Sequence, residues 1–417
     1  MRSSGVSFFA GTALPLVPAY NLAVNMPWQP QFLFVVCQCG AEGALKQELT
    51  KSHPELRPSF SRPGFVTFKF AEPCDNADGF QLRSTFARTW GFSLGKVTGT
   101  AAQELAAAAW QLPAVVEVFE SHKPSDLHVW QRDRVVPGED GFEPGPTALA
   151  AEVDAALRET SPVETLRAHS YDSQAASQPN TWVVDAVIVE PGEWWIGAHQ
   201  TTRRAACWVG GVPRIAAPPD MVSRAYLKMT EALEWAALPI ARGEVCVELG
   251  CSPGGAAQAL LERGLFVIGI DPAEVDDTVA EHPNFLHVRR RSTEVPKKDY
   301  NRARWLAVDM NVPPSYTLDA VEDVVRNKSA SIRGMVLTLK LAEWSLATSI
   351  REFVDRVRSW GYRDVRVRQL AFNRQEICLV ALRSRAQRRI KRGTAQRHFR
   401  VDPAHQSTPG KSHLDTN

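Results

Sequence analysis

The sequence predicts an α/β protein. Its C-terminal part folds as an open, doubly wound sheet that is parallel except for a reversed last strand. Three observations carry this. First, Val245 to Gln258 reads VCVELGCSPGGAAQ: an apolar run ending in Glu248, a glycine-rich turn, then an Ala/Leu-rich run to Glu262. That is strand, tight turn, helix. Second, strand-length apolar runs alternate with helix-length amphipathic segments from there to Leu382, the rhythm of a doubly wound sheet. Third, the last two strand candidates, Val365 to Val367 and Ile377 to Leu382, are joined by a short connection around Phe372 to Gln375. A parallel crossover needs about a dozen residues or more, so the final strand must run antiparallel.

The N-terminal half has a different grain. Residues 1–30 read as a disordered leader in which Pro15 and Pro18 break the apolar core of a faint signal-like pattern, with Met26 a candidate start. In residues 31–99, Phe32 to Cys37 is strand-like and Ala41 to Ser52 places Leu45 and Leu49 on one helical face. Gly64 to Phe70 alternates as a half-buried strand does, and Phe92 to Val97 is another strand. This is a small ferredoxin-like α+β module. Residues 100–205 form a second α+β module: helices at Thr100 to Trp110 and Thr147 to Glu159, a short strand at Leu127 to Gln131, and paired strands Thr181 to Pro191 and Trp194 to His199. Residues 206–221 read as a linker. Arg203, Arg204, Trp208 and Arg214 make this connector basic and aromatic, a composition able to hold phosphates and stack bases, or simply to face solvent.

The third domain spans 222–384. Val222 to Trp235 is helical, with Ser223 placed to cap it, Ala225, Met229 and Leu233 on one face, and Lys228 off that stripe. After the glycine turn come strands at Leu265 to Ile270, Phe285 to Val288, Trp305 to Val308 and Val336 to Leu339, with helices at Leu318 to Arg326 and Trp344 to Trp360. A basic run begins at Arg383, and residues 385–417 read as a disordered basic tail.

Composition bounds the function. The 417 residues suit two or three domains, and 44% hydrophobic with 23% charged is ordinary for a soluble globular protein. A net charge of +2 confines any nucleic-acid surface to a local patch. Seven scattered cysteines without a disulfide framework fit the reducing cytoplasm. Cys37-x-Cys39 lacks zinc-site spacing, and no apolar run reaches the ~18 residues of a membrane helix. No metal and no membrane partner is expected.

The glycine turn fits a dinucleotide or S-adenosylmethionine. Position 252 is Ser and the spacing is Gly250-x-x-x-Gly254-Gly255, a poor match to G-x-G-x-x-G. Glu248 before the turn can face the cationic amino end of S-adenosylmethionine, and Asp271, at the tip of the next strand, can accept from a ribose diol. A structural turn without ligand is the plain alternative.

With these residues in place the third domain resembles the FtsJ-type RNA 2′-O-methyltransferases, and Phe32 to Leu382 as a whole resembles the RlmM type. The anchors are Ser223-Arg224 with Leu227-Lys228, Pro253-Gly254-Gly255, Leu339-Lys340-Leu341, and Arg374 with Glu376. The resemblance implies a Rossmann-like S-adenosylmethionine-dependent methyltransferase domain behind an N-terminal module and a THUMP RNA-binding module. It implies 2′-O-methylation of a cytidine ribose in 23S ribosomal RNA of the large subunit. It also implies a catalytic Lys-Asp-Lys-Glu set at Lys228, Asp309, Lys340 and Glu376, with Lys340 acting on the ribose hydroxyl as base or orienting group. Cofactor contacts would come from Glu248, Gly250, Ser252, Pro253, Gly254, Gly255, Asp271 and Asp309. Two departures stand out: Ala342-Glu343-Trp344 follows Lys340 where the type is more basic, and Arg289 to Thr293 lacks the acidic adenine reader, with Glu294 shifted. The rival readings are a non-catalytic RNA-binding assembly protein on a degenerate fold, and a methyltransferase for small molecules or proteins.

Overall fold

The computed structural model describes residues 28–168, 176–296, 300–327 and 331–384. The leader with Met26, and the tail from 385, lie outside the described residues.

Two seven-stranded sheets organise the chain. The first unit runs β1 (Phe32–Val36), α1 (Glu42–Ser52), β2 (Leu56–Arg62), β3 (Phe65–Phe70), β4 (Thr89–Thr98), α2 (Ala102–Trp110), α3 (Pro113–His122), β5 (Asp126–Gln131), α4 (Ala148–Thr160), α5 (Glu164–Arg167), β6 (Trp182–Glu190) and β7 (Glu193–Gln200). Its strand order is β2-β3-β1-β4-β7-β6-β5. All pairs are antiparallel except β5 with β6. Because β4 pairs with β7, the sheet continues across residues 99 and 100, where the sequence suggests a boundary between modules. The folded unit also begins before residue 31: Trp28 is buried, 5.4 Å edge-on from Phe92.

Besides the single-turn helices α5 and Asp277–Ala280, two elements escape the sequence patterns. β2 (LRPSFSR) carries Pro58 and charged residues, lies at the sheet edge, and shifts register between Pro58 and Phe60, the setting where a strand proline is tolerated. In α3 only Val115 and Val118 are buried, too narrow a stripe to announce a helix.

The second unit runs α6 (Ala225–Ala236), β8 (Val245–Leu249), α7 (Gly255–Glu262), β9 (Phe266–Ile270), α8 (Asp277–Ala280), β10 (Phe285–Val288), β11 (Ala303–Val308), α9 (Pro314–Val325), β12 (Gly334–Lys340), α10 (Ile350–Ser359), β13 (Asp364–Arg368) and β14 (Glu376–Leu382). The order is β10-β9-β8-β11-β12-β14-β13. The pairs from β10 to β12 are parallel, and β14 runs antiparallel to both neighbours. The short 372–375 connection demanded this reversal. Strands β8 and β14 are buried throughout, which is why they are continuous apolar runs and not alternating ones.

Ser223 does not cap α6. Arg224 holds the N-cap position without a side-chain cap, and the Ser223 hydroxyl is buried without a hydrogen-bond partner among the described residues. Its neighbour explains this: a Cβ on Gly255 would lie 2.3 Å from Ser223 Oγ and 3.0 Å from Tyr226 N. Ser223 thus packs against the start of α7.

The stretch expected as a linker is packed. Arg204–Cys207 and Val209–Gly211 form short 3-10 turns, with Cys207 and Trp208 buried. Across the junction, Arg368 Nη2 donates to the carbonyls of Arg88 and Gly211, each at 3.0 Å. Arg374 donates to Pro137 O at 2.9 Å and Gly138 O at 2.8 Å, and Arg224 pairs with Glu143. Phe86 meets Trp344 edge-on at 6.0 Å. Arg383, grouped with the basic run in sequence, instead docks on the fold through Ile332 O at 2.8 Å.

The close α6–α7 approach gives a direct test. Gly255→Ala should destabilise the protein by about 1–3 kcal/mol, the cost of overpacking a fixed backbone contact, measured by urea unfolding.

Candidate active site

Four elements each deliver one charge to a single point. Lys228 comes from the first half of α6, Asp309 from just beyond β11, Lys340 from the end of β12, and Glu376 from the start of β14. The antiparallel register sets Lys340 opposite Glu376, so their side chains share one face. The result is a closed ring of alternating charge. Lys228 Nζ lies 2.6 Å from Asp309 Oδ2 and 3.2 Å from Glu376 Oε1. Lys340 Nζ lies 2.9 Å from Asp309 Oδ1 and 2.5 Å from Glu376 Oε2. The expected set of four is therefore brought together in full.

Backbone pinning fixes the ring. Asn373 Nδ2 donates to Glu376 Oε1 at 3.0 Å, and Leu370 N donates to Asn373 Oδ1 at 2.8 Å. Glu231, one turn beyond Lys228 on α6, accepts from the amides of Ala371 and Phe372 at 2.9 and 3.1 Å. One helix thus places a lysine in the ring and anchors the turn that presents Glu376.

The protonation states follow. Burial raises the Glu376 pKa, but Lys228 and Lys340 outweigh it and bring the carboxyl down to about 2. Burial lowers the Lys340 pKa, but Asp309 and Glu376 outweigh it and hold the ammonium above its ordinary value. Lys340 is therefore charged at rest.

Beside the ring a cleft of about 670 Å³ opens at the carboxyl ends of β8, β9 and β11, the usual ligand position in such sheets. Gly250, Ser252, Asp271 and Asp309 line it, and so do Arg290 to Thr293, Met310 and Tyr316. Glu248, Pro253, Gly254 and Gly255 do not belong to the lining. Gly254 (φ +126) would place a Cβ 3.0 Å from Val279, and Gly255 packs on α6, so both serve helix packing. At Gly250 (φ +79) a Cβ would come 2.8 Å from Asp309 O, so glycine there lets the turn meet the ring strand. Glu294, the shifted acid, instead accepts from Arg291 N. The lining contributed by Met310, just beyond β11, and Tyr316, in the first turn of α9, is invisible as a motif.

The carboxylates define what the cleft can take. Asp271 accepts from Ser252 N at 3.2 Å and Ala273 N at 2.9 Å, leaving lone pairs on both oxygens. Glu248 is fully buried, with Oε2 unpartnered among the described residues. Burial first, then Asp309 and Asp271, push its pKa well up. A buried orphan oxygen with two more carboxylates nearby fits a cationic ligand. With the poor match of the glycine spacing to G-x-G-x-x-G, it disfavours a pyrophosphate at the turn.

Elsewhere, His128, Asp185 and His199 bring ligand-type atoms within 4.8 Å of one another in the first sheet. His199 Nδ1 is bonded to Asp185 at 2.7 Å. Sequence spacing concealed this group, whose members sit on β5, β6 and β7.

The sheet order, the reversed strand and the acid-floored cleft define an open α/β methyltransferase-type domain. Residues 221–374, most of the C-terminal unit, match the family model described as FtsJ-like methyltransferase. The chain is similar to Ribosomal RNA large subunit methyltransferase M of Halorhodospira halophila, with 31% identity over 44% of this chain and 53% of that protein. The protein of that name from Musicola paradisiaca is 25% identical over 52% and 62%, and that from Shewanella putrefaciens 25% over 70% and 79%. The chain thus covers 53% to 62% of the length of the first of these relatives. Among the described residues no helix is long and apolar enough to cross a membrane.

Linkage supplies a test of the ring. A carboxyl depressed from 4.5 to about 2 contributes stability that is present above pH 4.5 and lost as pH falls through 2. The stability deficit of Glu376→Gln should therefore be largest near neutrality and shrink as pH drops from 4.5 toward 2, measured by urea unfolding at each pH.

Proposed function

We propose that this protein is an S-adenosylmethionine-dependent RNA 2′-O-methyltransferase acting on large-subunit ribosomal RNA, with a cytidine ribose of 23S RNA as the target. The observation that carries the reading is the closed Lys228–Asp309–Lys340–Glu376 ring beside a cleft built for a cation. A degenerate, non-catalytic fold would have no reason to keep four converging charges. The relatives' names support ribosomal RNA as the substrate class.

S-adenosylmethionine, when bound, supplies an electrophilic methyl group. Asp271 would hold its ribose diol, Glu248 its amino end, and Gly250, Ser252 and Asp309 the space between. Lys340, an ammonium at rest, donates to the target ribose oxygen and fixes its position. Lys228 and the two carboxylates hold Lys340 in turn. The hydroxyl proton would leave late, to water, as the methyl group transfers, so no neutral lysine is required. Alignment of this kind is a large share of catalysis. The first unit, residues 31–99 and the THUMP-like 100–205, would hold the RNA together with the basic tail, and the cytoplasm is the compartment where that substrate resides.

Two substitutions divide the roles. Lys340→Ala should abolish methyl transfer while changing S-adenosylmethionine affinity by less than about tenfold, since the lysine acts on the RNA hydroxyl. Asp271→Ala should weaken cofactor binding roughly ten- to a hundredfold, the worth of charge-assisted hydrogen bonds of about 1.5–3 kcal/mol. Calorimetry and labelled methyl transfer read the two effects. Near-normal turnover of Lys340→Ala would remove the lysine from the mechanism.

A further inference from the structure

A second cavity, of about 400 Å³, lies between the two units, away from the catalytic ring. Trp235 to Ala237, where α6 ends, form one wall, whereas Lys228 lies in the first half of that helix. At 1.5 Å per residue the two places are about 10 Å apart along the axis. Arg203, Arg204 and Trp90 of the first unit also line it, Arg204 reaching Glu234 O near the end of α6, and Arg366 and Arg368 contribute from β13.

The lining carries five arginines, counting Arg88, and no Asp or Glu. Some of that charge is already answered: Arg88 pairs with Asp133, and Arg366 Nε lies 3.8 Å from Asp364. Arg368 spends Nη2 on two carbonyls and leaves a buried Nε without a partner among the described residues. Arg203 and Arg204 are exposed and form no ion pair among the described residues. Each donates only to a backbone carbonyl, of Leu82 and of Glu234, both at 3.2 Å. Burial and the neighbouring Arg83 lower the Arg203 pKa, as expected where positive charge is in excess.

The second feature is aromatic. Trp90 and Trp235 are both half-buried at the wall. The Arg366 guanidinium lies 5.7 Å from the Trp235 ring centroid and donates to Ala236 O at 2.8 Å, so the indole is held in place. Arginines that can form a fork on phosphate, next to an indole held in place, are the elements that bind a backbone phosphate and stack its base. The volume suits one nucleotide unit.

We propose that this interdomain cavity is a nucleotide subsite, separate from the catalytic cleft, in which Arg203 and Arg204 hold a phosphate while Trp235 or Trp90 stacks the attached base. The nucleotide belongs either to the RNA strand or to a free mononucleotide, and the shared chemistry is a phosphate ester carrying an aromatic ring. Only the RNA source rests on the proposed function. The binding measurements need no methyl transfer, so an inactive enzyme would leave them standing.

The test uses the full chain and Arg203→Ala/Arg204→Ala, with Arg204→Gln as a milder variant and thermal unfolding as the check on folding. The probes are AMP, inorganic phosphate and a short single-stranded RNA oligomer. AMP should bind the parent chain more tightly than inorganic phosphate, and the double variant should lose about tenfold or more in AMP affinity. If the RNA strand is the source, the variant's log-affinity against log-salt slope should also flatten, by about 0.7 per phosphate lost. An unchanged RNA slope with weakened AMP binding assigns the cavity to a free nucleotide. Unchanged AMP and RNA binding in a folded double variant overturns the subsite. Equal affinity for AMP and phosphate overturns the base-stacking assignment.

Discussion

Two carboxylates, each shared by the same two ammonium groups, are the constraint on which the C-terminal unit depends. Asp309 and Glu376 both touch Lys228 and Lys340, so no one of the four is free to move alone. Removing either acid would leave two ammoniums sharing one carboxylate, and removing a lysine would leave two carboxylates sharing one ammonium. Broken buried pairs cost far more than intact ones contribute. The fold serves this geometry. The reversal of β14 brings Glu376 across from Lys340, and the same helix that carries Lys228 carries Glu231, which clamps the turn before Glu376. The ring also sets the protonation state, because Asp309 and Glu376 keep Lys340 charged, and the proposed role of the lysine in positioning a hydroxyl rests on that.

Much of this was legible in the sequence. The glycine turn, the alternating runs and the short 372–375 connection suffice for the second sheet, including the reversal of its last strand. All four ring residues are identified by resemblance, and strand-end placement explains why they meet. The cofactor side was less legible. Gly254 and Gly255 look like ligand glycines, but they are needed for packing against Val279 and Ser223. A one-dimensional pattern does not distinguish close approach to a ligand from close approach to a helix. Met310 and Tyr316 carry no motif; they line the cleft because one follows Asp309 beyond β11 and the other lies in the first turn of α9.

The N-terminal half was the harder part. Its sheet is one continuous surface because β4 pairs with β7, a contact between residues about a hundred positions apart that no local signal encodes. The connector of arginines and tryptophan looks like a solvated linker in sequence. In the fold it is clamped between Arg88 and Arg368. The residues that anchor the resemblance also acquire a physical reason. Arg224 and Arg374 both reach the 135–146 loop of the first unit, so they join the first unit to the second.

The central claim is that the ring acts on a ribose hydroxyl. The most direct measurement incubates the full chain with methyl-labelled S-adenosylmethionine and unmodified large-subunit ribosomal RNA, then hydrolyses the RNA in alkali. Alkaline cleavage needs a free 2′-hydroxyl, so a ribose methyl protects the adjoining phosphodiester. The account predicts label in an alkali-stable dinucleotide with cytidine carrying the methyl on its ribose, and no label when Lys340 is replaced by Ala. Label released in mononucleotides as a methylated base, or found in protein and not in RNA, would contradict it.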